Sequence, residues 1–331
     1  MTSLRVLFIG GTGTISAACA ARALASGMAL TVLNRGTSSL RAVPEGAEIL
    51  HADIRDPESV RAVLANRSFD VVVDFVAFTP DHVRTDIELF GGRTGQYVFI
   101  GSASAYQTPP ARLPITESTP LRNPEWTYSR NKIACEDLLV EAYRDQGFPA
   151  TIVRPSHTYD RHAIPLMGRW TDIDRMRRGE PVVVHGDGTS LWTLTHSTDF
   201  AKAFTGLLGN PQAIGDSFHI TSDEVLTWNQ IYETLGRAAG VEPRLVHVAS
   251  ETIAAAAPEL GPTLLGDKAH SVVFDNSKVK ALVPDYVATV PFAVGAREII
   301  DWYDAHPEHQ VVDDELNALF DRLVERATRP F

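Results

Sequence analysis

Cysteine is almost missing from this chain, with Cys19 and Cys135 the only two in 331 residues. Each lies inside a helical pattern and neither belongs to a Cys-x-x-Cys or Cys/His spacing. That excludes a disulfide framework and a metal site, and predicts two small buried residues in a reducing, cytoplasmic setting. An excess of basic residues is missing too. A net charge of −11 works against general attraction to nucleic acid or to an anionic membrane, while permitting a locally basic pocket for an anionic small molecule. No run approaches the ~18 apolar residues that span a bilayer. The first ten residues enter a strand pattern with no basic leader, so neither a membrane span nor a signal peptide is expected. What is present, 44% apolar and 21% charged residues, is the composition of a globular chain able to build one large core or two smaller ones.

The first half alternates strand and helix. Residues 4–9, 30–33, 47–50, 70–75, 96–100 and 151–153 are short apolar runs suited to buried parallel strands. Between them lie helix patterns: an Ala-rich stretch stopped by Gly27, one opened by Asp56-Pro57-Glu58, residues 81–89, and residues 126–146 after Asn123-Pro124-Glu125. The alternation predicts an α/β fold, a doubly wound parallel sheet of Rossmann type. The second half is less regular, with helices expected at 199–208 and near 227–239, 250–257, 290–304 and 312–327, and a short strand at 217–221.

The first strand-to-helix turn reads Gly10-Gly11-Thr12-Gly13-Thr14-Ile15-Ser16. Gly10 and Gly13 let the backbone turn tightly and approach a pyrophosphate, and the helix N-terminus supplies amide donors. In the first βα turn of a βαβ unit this pattern predicts dinucleotide binding. The domain expected is therefore a dinucleotide-binding one over 1–162, to which 186–225 and about 272–280 return. A smaller C-terminal substrate-binding lobe, from 163–185 and 226–331, is expected across the carboxyl ends of the strands. At the end of the second strand an acid would bond the adenosine ribose, but Asn34-Arg35 stands there. That pair points toward NADP, or toward use of both cofactors, because Asn34 does not repel a 2′-phosphate.

Tyr128-Ser129-Arg130-Asn131-Lys132 puts a phenol and an ammonium one helical turn apart. An ammonium beside a phenol favours the phenolate, which makes Tyr128 an acid/base for a substrate oxygen. Taken alone, such a pair is also a common solvent-facing coincidence.

With the nucleotide turn before it and a Ser-rich strand end between, the sequence resembles the extended short-chain dehydrogenase/reductase superfamily, in its NAD-dependent epimerase/dehydratase branch. The matching segments are the glycine turn, His51 to Asp56, Phe99 to Tyr106, Arg154 to Tyr159, and Gly186-Asp187-Gly188-Thr189 through His196 and Asp199. The resemblance implies an NAD(P)-dependent enzyme in which Ser102, Tyr128 and Lys132 are catalytic. Ser102 is favoured over Ser104, being four residues before Tyr106. Lys132 lowers the Tyr128 pKa and bonds the nicotinamide ribose. Cofactor contacts fall to Gly10, Thr12, Gly13, Thr14, Ile15, Asn34, Arg35, Asp53, Ile54, Tyr128, Lys132, Pro155 and His157. Substrate contacts fall to Ser104, His157 and Trp192, with His157 a pocket residue before a second base. Family members commonly dimerise through the catalytic helix, so a homodimer is expected.

Departures from the family limit the substrate. Sugar-nucleotide enzymes of this kind hold the diphosphate with arginines, but Trp192 stands at one such place and Leu264-Leu265 at the other. Indole does not replace a bidentate guanidinium; Lys268, Arg161, Arg169 and Arg175 are the compensating cations, and Trp192 serves either as a stacking surface or as core. Ala103 and Ser104 occupy the positions where a dehydratase carries acids, which argues against dehydration. These features also resemble an atypical branch that includes chloroplast stem-loop-binding proteins, although the acidic charge disfavours RNA binding. Three functions follow: epimerisation of a sugar nucleotide or sugar-like substrate by transient hydride abstraction; dehydrogenation or ketoreduction of a sugar, polyol or secondary metabolite; and a cofactor-bound regulatory role, against which the intact Ser102, Tyr128 and Lys132 argue.

Overall fold

The computed structural model describes residues 3–37 and 40–329. Its first part runs β1 (Arg5–Ile9), α1 (Thr14–Ala25), β2 (Ala29–Asn34), β3 (Glu48–His51), α2 (Pro57–Leu64), β4 (Phe69–Asp74), α3 (Pro80–Phe90), β5 (Thr94–Ile100), α4 (Thr127–Gln146) and β6 (Ala150–Pro155). The later elements are β7 (His157–Tyr159), α5 (Trp170–Arg177), β8 (Pro181–His185), β9 (Leu191–Trp192), β10 (Leu194–His196), α6 (Ser197–Leu207), β11 (Ser217–Ile220), β12 (Leu226–Thr227), α7 (Trp228–Ala238), β13 (Arg244–Val248), α8 (Ser250–Ala256), α9 (Gly261–Thr263), α10 (Ser277–Leu282), α11 (Phe292–Ala305) and α12 (Asp314–Thr328).

Seven parallel strands form the sheet, in the order β11-β6-β5-β4-β1-β2-β3. Its strands are apolar on both faces because helices cover both. One face buries Phe8 and Val32 against Cys19 of α1 and Phe200 and Phe204 of α6. The other buries Leu7, Val72 and Tyr97 against Val83 of α3 and Cys135 and Leu139 of α4. Both cysteines are free and buried. The strand order reverses between β1 and β4, which opens a crevice at their carboxyl ends. The glycine turn and the β4–α3 loop stand on its two sides.

Helix starts follow local chemistry. Asp56 caps α2 by accepting from the Ser59 amide, with Pro57 at the first helical position. The tyrosine helix begins at Thr127, after a turn in which Asn123 Oδ1 accepts from the amides of Glu125 (3.2 Å) and Trp126 (3.1 Å). The expected strand at 217–221 is β11, at the sheet edge beside β6. The parallel β8–β13 pair and α5 are additions to the sequence expectation. The two strands lie far apart in the chain, so their pairing is no local signal, although the Val182-Val183-Val184 run of β8 and the Trp170, Ile173, Met176 spacing of α5 are. They frame a separate core in which Trp170, Trp192, Trp228 and Phe292 meet. No helix of the described residues is long and apolar enough to cross a membrane.

Candidate active site

The turn after β1 leaves no room for side chains. Gly10 has φ +81°, and a Cβ there would lie 2.7 Å from Val76 Cγ1; one on Gly11 would lie 2.6 Å from Val32 Cγ1. Ser16, at the third small position, is buried, and its Oγ accepts from the Gly13 amide at 2.8 Å. The hydroxyl thus ties the turn to the helix. The first amides of α1 have no intrahelical acceptor and open toward the crevice.

Beside the turn is a cavity of about 330 Å³ lined by Gly10, Thr12, Asn34, Arg35, Asp53, Ile54, Arg55, Val76 and Phe78, among others. Asn34 Oδ1 is used locally, accepting from the Gly36 amide at 3.0 Å. Arg35 is exposed, its Nη1 4.0 Å from Asp53 Oδ2. A cradle that a Cβ would fill, a helix N-terminus and an adjoining cavity fit a dinucleotide: pyrophosphate at Thr12–Ile15, adenosine between Asn34, Asp53 and Ile54.

A second cavity, about 310 Å³, contains Ser102, Ser104, Tyr128, Pro155, His157, Trp192, Asp267 and Lys268 in its wall. The structure thus brings the predicted catalytic serine and tyrosine into one chamber with all three predicted substrate residues. Ser102 Oγ lies 2.8 Å from Ser104 Oγ, which lies 2.8 Å from Ser129 Oγ. Burial pushes the Tyr128 phenol up; a hydrogen bond with Ser102 opposes the shift, and the Asp267 charge adds to it.

Lys132 corrects one expectation. It does lie one turn from Tyr128, but its Nζ donates to the carbonyls of Ala77 (2.6 Å) and Ile100 (2.7 Å) and stands 5.7 Å from the Tyr128 ring centre. Burial lowers its pKa to about 8. The predicted depression of the phenol by the ammonium is therefore absent from this arrangement: Tyr128 is raised, and it is held protonated at neutral pH. Desolvation outweighs a charge whose hydrogen bonds point elsewhere.

Trp192 and His157 form a unit. The indole Nε1 donates to His157 Nδ1 at 3.1 Å, which leaves the imidazole proton on Nε2. Burial pushes His157 down to about 3, so it stays neutral. Trp192 is 3% exposed and packs on Trp228 with ring centres 5.2 Å apart. Of its two expected uses, core is the one found, with only an edge reaching the cavity.

Sequence reasoning missed Asp267, on the π-helical turn Leu264–Lys268. Burial raises this carboxyl to about 6, and Lys268 Nζ is 3.9 Å away. The triplet Gly266-Asp267-Lys268 was its only signal. Asn123 sets this turn: its Nδ2 donates to the carbonyls of Ser104 (2.9 Å) and Gly266 (2.7 Å). A third cavity of about 600 Å³ shares His157 and Lys268 with the chamber and extends to His162, Arg169 and Tyr303. Across its edge Arg41 grips Asp160 (2.6 and 2.8 Å) and reaches Thr14 Oγ1 (3.3 Å). Of the other cations expected to compensate, Arg175 is buried and turned to Pro181 and Asn317, away from these cavities.

Comparison with known proteins places this geometry. The pattern of the NAD dependent epimerase/dehydratase family matches residues 6–221. The chain is 27% identical over 288 residues to 2'-dehydrokanamycin reductase of Streptomyces kanamyceticus, covering 86% of this chain and 80% of that protein. It is 28% identical to UDP-glucose 4-epimerase of Streptomyces lividans, over 60% of this chain and 70% of that one. A solved UDP-glucose 4-epimerase from Bifidobacterium longum, in complex with NAD+ and UDP, superposes with a TM-score of 0.73 at 18% identity, over 92% of this chain and 99% of the other.

Proposed function

Because the chain belongs to the NAD dependent epimerase/dehydratase family, an enzyme family with sugar-nucleotide epimerases and sugar reductases among its members, we propose that it is a reductase of a ketone on a sugar-like substrate without a nucleotide, using NADPH in preference to NADH. The observation that carries this reading is Trp192, buried and hydrogen-bonded to His157 at a place where the family's sugar-nucleotide enzymes carry a diphosphate-binding arginine. Arg35, exposed at the mouth of the adenosine cavity with no acid at position 34, supports the phosphorylated cofactor. The Streptomyces kanamyceticus relative, 2'-dehydrokanamycin reductase, is itself a reductase.

The residues supply the proton chemistry. Tyr128, kept protonated by burial, gives its proton to the carbonyl oxygen as that oxygen gains charge, and Ser102 donates a second hydrogen bond to the same atom. His157 offers an Nε2–H and Asp267 a carboxyl to the substrate's hydroxyl groups. When bound, the nicotinamide supplies the hydride.

Steady consumption of added NADPH with ketosugars, and no thermal stabilisation by UDP or dTDP, is the expected result. The adjoining cavity of about 600 Å³, with Arg169 and Lys268 in its wall, favours a second reading, epimerisation of a sugar nucleotide. Interconversion of epimers with no net cofactor change, together with strong stabilisation by UDP, would establish that reading and overturn the first.

A further inference from the structure

Beneath the crevice lies an acidic pair that the proposed chemistry leaves unused. Asp74 ends β4, Asp86 lies on α3, and both are 0% exposed. Asp74 Oδ1 accepts from the amides of Val76 and Ala77, and Asp86 Oδ2 accepts from the Tyr97 hydroxyl at 2.6 Å. The remaining oxygens, Asp74 Oδ2 and Asp86 Oδ1, are both buried without a partner among the described residues. Two orphaned carboxylate oxygens on neighbouring buried side chains are satisfied together by a single proton. We propose that Asp86 donates that proton to Asp74, and that Asp74 is a positioning residue for Lys132.

The connection runs through the β4–α3 loop. Asp74 fixes the amide of Ala77, and the carbonyl of Ala77 is one of the two acceptors of Lys132 Nζ. Val76, whose amide Asp74 also holds, is the side chain that packs over Gly10 in the cofactor turn. One carboxylate therefore organises a loop that touches both the lysine and the dinucleotide turn. Burial pushes Asp86 well up, followed by the charge and contact of Asp74, which makes Asp86 the protonated member. Charged and titratable groups face Lys132 from several elements: Tyr128, Cys135 and Glu136 on its own helix, Asp74 from β4, Arg55 from the segment before α2, and His82 from α3. Among these, Asp74 is the acid placed at the lysine's own anchor.

The test uses the whole protein and three variants, each checked for folding by its melting curve. Asp86→Asn puts an NH₂ where the shared proton stands and keeps an acceptor for Tyr97, so it is expected to restore what Asp86→Ala loses. Asp86→Ala should weaken NADP(H) affinity by about tenfold, with Asp86→Asn within about twofold of the original protein. Asp74→Asn should move the Lys132-dependent limb of the rate–pH profile down by about one unit, because a favourable negative charge leaves the ammonium. Infrared spectroscopy at about pH 9, above the range in which Asp172 and Asp267 lose their protons, should show a buried protonated carboxyl band that disappears in Asp86→Asn. Absence of that band, equal effects of Asn and Ala at position 86, or an unmoved pH limb in Asp74→Asn would each overturn the proposal. A protonated pair with a moved pH limb stands whatever the substrate proves to be.

Discussion

The two ends of the crevice are built from different materials. At the cofactor end the backbone makes the site: Gly10 and Gly11 have no room for a Cβ, and helix amides face the opening. At the substrate end side chains make it: Trp192 on His157, Asp267 beside Lys268, and three serine hydroxyls in a chain. A backbone site tolerates any sequence that keeps its glycines, whereas a side-chain site changes its ligand with each substitution.

If the ends are separable, Tyr128→Phe should lower kcat/KM by about 10²- to 10⁴-fold while leaving cofactor affinity, measured by fluorescence titration, within about twofold. A parallel loss of cofactor would join the two ends. Gly10→Ala attacks the other side. With φ +81° and Val76 at 2.7 Å, the strain of about 1–3 kcal/mol should weaken cofactor binding by roughly tenfold or more and lower the melting temperature. Asn34→Asp sharpens the comparison within the cofactor end. A carboxylate facing a 2′-phosphate should reduce NADPH affinity roughly tenfold, about 1.4 kcal/mol, and leave NADH affinity equal or improved.

The smallest effect lies in the lobe. Asp172 on α5 accepts from the Gly168 amide at 2.8 Å, and burial raises its carboxyl to about 7. Its folded value exceeds the unfolded one, so between about pH 4 and pH 7 the folded protein holds a proton that the unfolded chain has released. This contribution to stability is complete at lower pH and is lost as pH rises through 7. Asp172→Asn is neutral throughout, so its melting temperature relative to the original protein should rise by about 2–4 °C between pH 5 and pH 8. A difference that does not change with pH would show that Asp172 is not the group titrating.

The same contrast decides what the sequence could reveal. Alternating apolar runs and a glycine turn are local signals, and they located the parallel sheet, α1 and the start of the tyrosine helix to within a residue or two. The β8–β13 pair joins segments some sixty residues apart, and the apolar runs of β8 and α5 are too short for periodicity to assign by itself. Tyr128 and Ser102 were legible through motif spacing. Asp267 was not, because its meaning depends on a π turn that folds it into the chamber. The direction of the Tyr128 shift was misjudged for a similar reason: spacing shows that Lys132 is near, but only the fold shows that its protons go to Ala77 and Ile100.

Asn123 limits how the chamber can open. Its amide group bonds two backbone donors at the head of the tyrosine helix and two carbonyls, one of Ser104 beside Ser102 and one on the Asp267 turn. Swinging that wall outward to admit a substrate would strand several buried polar groups, at about 1–3 kcal/mol each. The wall therefore acts as a fixed jamb, and a bulky substrate has to enter by displacing other parts of the rim.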